Sequence, residues 1–314
     1  LFPVRGALVR YVSLAVLAVA LLPVQAVRAQ DLEPRAYSSS PVGTTFLVAG
    51  LVRSSGDVIF DPSIPVTDVN AEVYAFTVGL GRTFDLAGRL AQLSTAVPYS
   101  WGEVEGSVQE QTRRVTRSGA ADMRVRLSVN LLGAPALTPR EFARRERRGT
   151  VVGASITVSA PLGEYDHTKL INLGTNRWAF KPEVGVSHPA GRWDLEAYAG
   201  AWFFTENPTF FPGQARRRQD PIGGVQGHVS YTFRPRAWVA GDLTWYAGGA
   251  AALDDGPAMG RQNNTRYGMT VAWPIGRRHS IKAAYAAGAI VRSGADFRTV
   301  AVAWQVFWID RPRR

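Results

Sequence analysis

From Asp122 to Leu131 the chain reads DMRVRLSVNL. In it Met123, Val125, Leu127, Val129 and Leu131 alternate with Asp122, Arg124, Arg126, Ser128 and Asn130 without exception. Successive side chains of a β-strand point to opposite faces, so this segment has one apolar face and one charged face. The period returns between Val225 and Arg234, where Val225, Gly227, Val229, Tyr231 and Phe233 alternate with Gln226, His228, Ser230, Thr232 and Arg234. Val152, Ala154, Ile156, Val158 and Ala160 repeat it.

Segments of this kind predict about twelve strands, near 44–53, 71–82, 88–99, 120–132, 150–160, 178–188, 192–205, 222–233, 236–248, 265–275, 279–291 and 297–309. Most exceed the roughly 9 to 11 residues that a tilted transmembrane strand needs. Short turns at Asp85-Leu86-Ala87, Pro189-Ala190-Gly191, Arg234-Pro235-Arg236 and Gly276-Arg277-Arg278 alternate with long polar loops over 54–70, 101–119, 161–177, 206–221 and 249–264. Short turns on one rim and long loops on the other are the habit of outer-membrane barrels. The connection 133–149 departs from it, and Pro139 to Arg144 predicts one or two helical turns on the periplasmic side.

The polar faces carry Asp122, Arg124, Arg126, Lys181, Glu183, Asp194, Glu196, His228, Asp242 and Lys282. A soluble β-sandwich would bury these in a dry core, where each unpaired charge costs several kcal/mol. A barrel holds them in a wet lumen. The expected fold is therefore all-β, an antiparallel transmembrane β-barrel of about twelve strands. Asp122, Arg124 and Arg126 then either form a selectivity constriction or pair with neighbours and plug the interior. Aromatic residues cluster at strand ends: Trp193, Phe233, Trp238, Trp273 and Trp308 towards the short turns, Tyr99, Trp101, Trp178, Phe203, Trp245 and Tyr246 towards the long loops. Two such belts suit the two membrane interfaces.

Export is written at the front of the chain. Arg5 and Arg10 precede an apolar stretch from Tyr11 to Val24, and Val27-Arg28-Ala29 offers a peptidase site, which predicts a signal peptide over 1–29 and a barrel over 30–314. Pro23 and Arg28 hold the apolar run below the roughly 20 residues of a spanning helix.

The absence of cysteine excludes disulfides, cysteine-ligated metals and thiol nucleophiles. The formal charge is +11, and with lysine only at 169, 181 and 282 the excess is almost all arginine. Runs at 144–148, 216–218 and 311–314 accompany no nucleic-acid motif, so they are read as solvated loops and a solvated tail. Nucleic acid is not an expected partner.

Two histidines stand beside serines, His228 with Ser230 and His279 with Ser280, but neither pair declares the third group that a serine hydrolase uses to orient its base. His167 shares a loop with Glu164 and Asp166, a weak metal signal against a hydrated loop. Gly79-Leu80-Gly81 and Gly223-Gly224 open no strand-to-helix unit and are not nucleotide loops. No cofactor is expected.

DLEPRAYSSSPVGTTFLVAG, SSGDVIFDPS, VRLSVNLLGAPAL, APLGEYDHTKLINLGTNRWAFKPEVGVS and FRPRAWVAGDLTWYAGG together resemble the MetA-pathway of phenol degradation family, over nearly all of 31–307. That resemblance implies an outer-membrane β-barrel and uptake of hydrophobic aromatic compounds, and it carries over no functional residues. The sequence departs from the usual aromatic C-terminus of such barrels, because Phe307-Trp308-Ile309 is followed by Asp310 and a basic tail.

The residues supply their own reason for an aromatic cargo. Tyr198, Trp202 and Phe204 share the face of Asp194 and Glu196, and Trp238 and Tyr246 share that of Asp242, which predicts rings along the lumen. The expected protein is a monomeric outer-membrane channel for passive uptake of small hydrophobic aromatic compounds. Its expected partners are outer-membrane lipid, lipopolysaccharide and the barrel assembly machinery. An outer-membrane enzyme of lipase or esterase type and an adhesive barrel without transport are the alternatives.

Overall fold

A computed structural model describes residues 33–59, 66–108, 111–145, 149–211 and 214–310. The expected signal peptide and the basic tail lie outside the described residues. The chain folds into a closed antiparallel β-barrel of 12 strands. Its elements are β1 (Thr44–Ile59), β2 (Val66–Leu86), β3 (Arg89–Val108), β4 (Gln111–Ala120), β5 (Arg124–Leu132), α1 (Pro139–Arg144), β6 (Val151–Ser159), β7 (Ala179–Ala190) and β8 (Trp193–Phe204). They continue with β9 (Asn207–Phe210), β10 (Ala215–Gln219), β11 (Ile222–Arg234), β12 (Ala237–Gly248), β13 (Ala251–Leu253), β14 (Gln262–Ile275), β15 (His279–Ile290) and β16 (Gly294–Ile309).

Neighbours in sequence are neighbours in the wall, and the pairing of β1 with β16, Thr44 opposite Ile309, closes it. β4 and β5 form a single wall strand interrupted at residues 121–123: β3 pairs with β4 through Tyr99–Val108 and with β5 through Ala91–Ala96. β9, β10 and β13 stand apart as a three-stranded sheet built from the connections on the long-loop rim. Both described ends of the wall, Thr44 and Ile309, lie on the short-turn rim, which is the periplasmic one in barrels of this kind.

The interior is polar and the exterior apolar, the reverse of a water-soluble domain. Leu51, Phe76, Val78, Leu80, Leu93, Val97, Val184, Val229, Leu243, Met269 and Val302 all point outward and are exposed, while Glu183, Glu196, His228, Asp242 and Arg266 are buried. A contiguous apolar surface of this extent far exceeds the few hundred Å² seen on soluble monomers, and hydrocarbon is its natural solvent. Two aromatic belts frame it. Trp193, Phe233, Trp273 and Trp308 face outward at the short-turn end, and Tyr99, Trp101, Trp178, Phe203 and Trp245 at the other. Trp238 and Tyr246 do not belong to the belts, because the strand period turns both of them inward.

The expected strands all occur, but two expected loops are corrected. Most of 54–70 and 101–119 is strand: β1 runs on to Ile59, β2 starts at Val66, and β3 and β4 form one long hairpin. Polar residues on both faces, Glu103, Glu105 and Arg114 on one and Arg113 and Arg117 on the other, imitate a loop here. Above the membrane water bathes both faces, and cross-strand ion pairs such as Arg114–Glu105 at 2.8 Å replace the apolar stripe. The helix expected at Pro139–Arg144 forms, with Thr138 as its cap and a reciprocal capping box to Glu141.

Candidate functional site

The lumen is crossed by the segment that precedes β1. Glu33, Arg35 and Tyr37 enter the barrel and meet four of the wall residues singled out by their polar faces: Arg126, Glu183, Asp194 and Glu196. The Arg35 guanidinium donates to Asp194 Oδ2 at 2.7 Å, to Thr232 Oγ1 at 2.6 Å and to Ser230 Oγ at 3.0 Å, and it lies 4.8 Å from the Trp238 ring. The Arg35 amide donates to Glu196 Oε2 at 2.7 Å, and the Ala36 amide donates to the Tyr198 hydroxyl. Arg35 adopts a left-handed φ of 67°, a conformation that costs a non-glycine residue about 1–3 kcal/mol and persists where its surroundings over-determine it.

Tyr37 turns to the adjoining stretch of wall, β5 to β8, and is buried. Its hydroxyl donates to Glu183 Oε1 at 3.2 Å and meets Ser155 Oγ at 3.1 Å, and Asn130 donates to its carbonyl. Glycine makes the socket. A Cβ at Gly153 would lie 2.1 Å from the Tyr37 ring, and one at Gly185 would lie 2.4 Å from it. Arg126 stacks 5.4 Å over the same ring and bridges Glu33 at 3.1 Å and Glu183 at 3.2 Å, while Lys181 pairs with Glu183 at 2.6 Å.

Glu33 is the electrostatic focus of this waist. Enclosure by the walls works to raise its pKa, but Arg126, Lys282, Lys181 and Arg124 outweigh that and hold the carboxyl below its ordinary value. All four basic residues expected in the lumen therefore act on one carboxylate, which belongs to a segment that strand periodicity does not reveal. His228 and Asp242 form a separate buried pair at 2.6 Å, with Thr270 donating to the other Asp242 oxygen. Of the two readings of Asp122, its contacts are those of pairing with neighbours. It is buried at the break between β4 and β5 and accepts from the Gly163 amide and from the amide and hydroxyl of Thr175, which ties down the 160–178 connection.

On the long-loop side of the waist the walls turn aromatic. Along β8 the inward positions run from Asp194 and Glu196 through Tyr198 to Trp202 and Phe204, so the rings stack above the carboxylates. Trp202 and Tyr246 pack with Ala179 and Ile222, with Phe204 against them. Tyr198, Trp202, Ile222 and Tyr246, with Gly200, Gly224, Gln226, Thr244, Lys181 and Glu183, line a narrow cleft that is partly open to solvent. A Cβ at Gly224 would make only ordinary contacts, so glycine there keeps room in the cleft.

The other polar candidates are engaged locally. Ser230 is held by Arg35, and among the described residues His228 Nε2 has no hydrogen-bond partner, so the two do not form the serine–histidine contact of a hydrolase. The His279 ring stacks on Trp304 on the outer wall. Asp166 is held far below the usual carboxylate range by the Thr168 hydroxyl and then the Lys169 ammonium. Among the described residues no three metal-ligating side chains gather.

The run at 216–218 needs a correction. Arg216 and Arg218 are exposed beside Glu206, but Arg217 is buried to 3% exposure, because β10 alternates and its middle arginine points inward. Sequence reading treats the three alike, and only the strand period inside the loop separates them.

A closed barrel with an apolar, aromatic-belted exterior and a polar, partly aromatic interior is a β-barrel protein of the cell outer membrane. Residues 55–302 match the family described as "Putative MetA-pathway of phenol degradation", and the chain belongs to that family. Among solved structures it is similar to the COG4313 outer membrane channel from Pseudomonas putida F1, with a TM-score of 0.73 at 20% identity, covering 88% of this chain and 100% of that one. It is also similar to the transport unit of the autotransporter AIDA-I from Escherichia coli, with a TM-score of 0.52 at 12% identity, covering 95% of this chain and 98% of that one. At these identities the shared feature is the fold. No curated protein matches the sequence.

Proposed function

We propose that this protein mediates passive uptake of small hydrophobic, aromatic compounds, and that the cleft of Trp202, Ile222 and Tyr246 receives the ring of the cargo. The observation that carries this reading is the order of the lumen: an aromatic cleft on the extracellular side, then a waist closed by Glu33, Arg35 and Tyr37. A wide aqueous pore has no place in such a section, and a polar solute gains nothing from the rings. An aromatic solute gains roughly 25 cal/mol for each Å² of apolar surface it removes from water. Passage then requires the 33–38 segment to shift, and the segment is joined to the wall by hydrogen bonds and ion pairs that water can replace one by one. The phenol-degradation family supports this class of cargo, and the similarity to an outer membrane channel supports passage through the barrel. No chemical step is assigned to the lumen, the chain is read as a monomer, and insertion by the barrel assembly machinery is part of the proposal.

Uptake of labelled toluene and phenol by a deletion strain, with and without the gene, tests this. Gly224→Leu should fill the cleft and cut the gene-dependent rate at limiting concentration several-fold, with the barrel still heat-modifiable on a gel. Equal rates in all three strains would overturn the proposal.

A further inference from the structure

We propose that Arg217, in the sheet on the extracellular rim, is an anion-binding residue that captures the carboxylate of a small aromatic acid. The inference rests on the proposed uptake function and narrows its cargo. Arg217 is the central residue of β10, with Leu253 of β13 and Asn207 of β9 opposite it on the two sides. It is buried, the Phe210 ring lies 5.5 Å from its guanidinium, and its Nε and Nη2 have no hydrogen-bond partner among the described residues. The ion pairs of this sheet involve its neighbours instead: Arg216 and Arg218 face Glu206, and Arg218 faces Asp255. Burial depresses the Arg217 pKa to about 10, and among the described residues the Tyr165 phenol acts in the opposite direction.

A buried cation with bare donors is costly unless something fills them, and an arginine fork matches a carboxylate in both charge and shape. The surroundings specify what accompanies that carboxylate. Phe210 and Leu253 form the apolar core of the extracellular sheet, so a ligand seated on the guanidinium has a flat apolar surface for its ring.

The site also leads inward. Gln219 shares the inward face of β10 with Arg217 and accepts from Arg177 Nη2, and the Arg177 guanidinium lies 4.3 Å over Phe204 at the top of the aromatic cleft. An anionic ring thus meets paired cation and ring surfaces in succession, Arg217 with Phe210 and then Arg177 with Phe204, before it reaches Trp202 and Tyr246. A neutral hydrocarbon uses only the ring surfaces.

The test uses the full chain folded in detergent micelles, with benzoate and its neutral isostere benzamide as probes in calorimetric titrations. Charge-assisted hydrogen bonds should make benzoate bind at least about tenfold more tightly than benzamide. Arg217→Gln should abolish that preference without changing benzamide binding, and Arg217→Lys should keep part of it. Uptake of neutral benzyl alcohol should ignore Arg217→Gln and fall with Gly224→Leu. Equal affinities for the two probes in the unmodified protein overturn the proposal whether or not the variants fold. So does a benzoate preference that survives Arg217→Gln. Loss of all aromatic uptake with benzoate binding intact would instead remove the transport reading and leave the site standing.

Discussion

The waist of the barrel and the small sheet on its extracellular rim both bury arginine, and they treat it in opposite ways. At the waist Arg35 and Arg126 meet Asp194, Glu183 and Glu33 at 2.7–3.2 Å, and hydroxyls and rings fill the remaining space. In the rim sheet Arg217 has two nitrogens without partners among the described residues. A satisfied network holds one arrangement and resists intrusion, whereas bare donors favour whatever anion arrives. The comparison separates closing from capturing: one region keeps the lumen shut, and the other is built to accept.

The largest effect should come from removing the occluding side chains together. In planar bilayers the triple variant Glu33→Gln, Arg35→Ala, Tyr37→Ala should show single-channel conductance several-fold above that of the parent, because the wall residues remain while the material across the lumen is gone. Unchanged conductance would mean that the waist is narrow for another reason, and the contrast with Arg217 would lose one of its two sides. Lumen charges left unpaired by this variant should also lower the barrel's thermal stability, since truncating one partner of a buried pair costs about 3–5 kcal/mol.

A smaller and sharper disturbance leaves every charge in place. Gly153→Leu directs a side chain into the space of the Tyr37 ring, 2.1 Å from a would-be Cβ. Overpacking of this kind costs typically about 1–3 kcal/mol, and the segment outside the wall is the easier part to displace. Conductance should therefore rise towards that of the triple variant, and combining Gly153→Leu with Tyr37→Ala should restore stability relative to Gly153→Leu alone. Additive losses in the double variant would place the Tyr37 ring elsewhere.

These two regions also mark where sequence stops being informative. The wall was legible because a membrane on one side and water on the other impose a strict two-residue period, visible in Asp122–Leu131 and Val225–Arg234 and in the outward turn of Trp193 and Trp245. The lumen faces of Glu183, Asp194, Glu196 and Asp242 followed from the same period. The occluding segment was not legible, because residues 33–38 have no period of their own and their partners lie far along the chain, Arg35 being 159 residues from Asp194. Arg217 was hidden in a basic run, where an inward and two outward arginines read identically. The long hairpin of β3 and β4 was hidden by the rule that exposed it elsewhere, since above the lipid both faces of a strand are polar.

The smallest expected effect is a pH dependence, and it sharpens the comparison because only the waist should show it. The Glu33 carboxyl lies below its ordinary value of 4.5 when the segment is in the lumen. A carboxylate with a depressed pKa in the closed state favours that state fully above about 4.5, and the contribution disappears as the pH falls through the lowered value. The facing groups are Arg124 and Arg126 on β5, Lys181 on β7 and Lys282 on β15, all cations that lose their shared partner when Glu33 is protonated. Glu33 is 59% exposed, so water screens these attractions and the effect should be modest. Conductance should be level from neutral pH down to about 5 and rise only below about 4.5. Glu33→Gln should remove the part of that rise due to this carboxylate, leaving conductance slightly higher at every pH. The benzoate preference assigned to Arg217 should stay constant from neutral pH down to about 5. A conductance rise centred near neutrality would remove Glu33 as its cause.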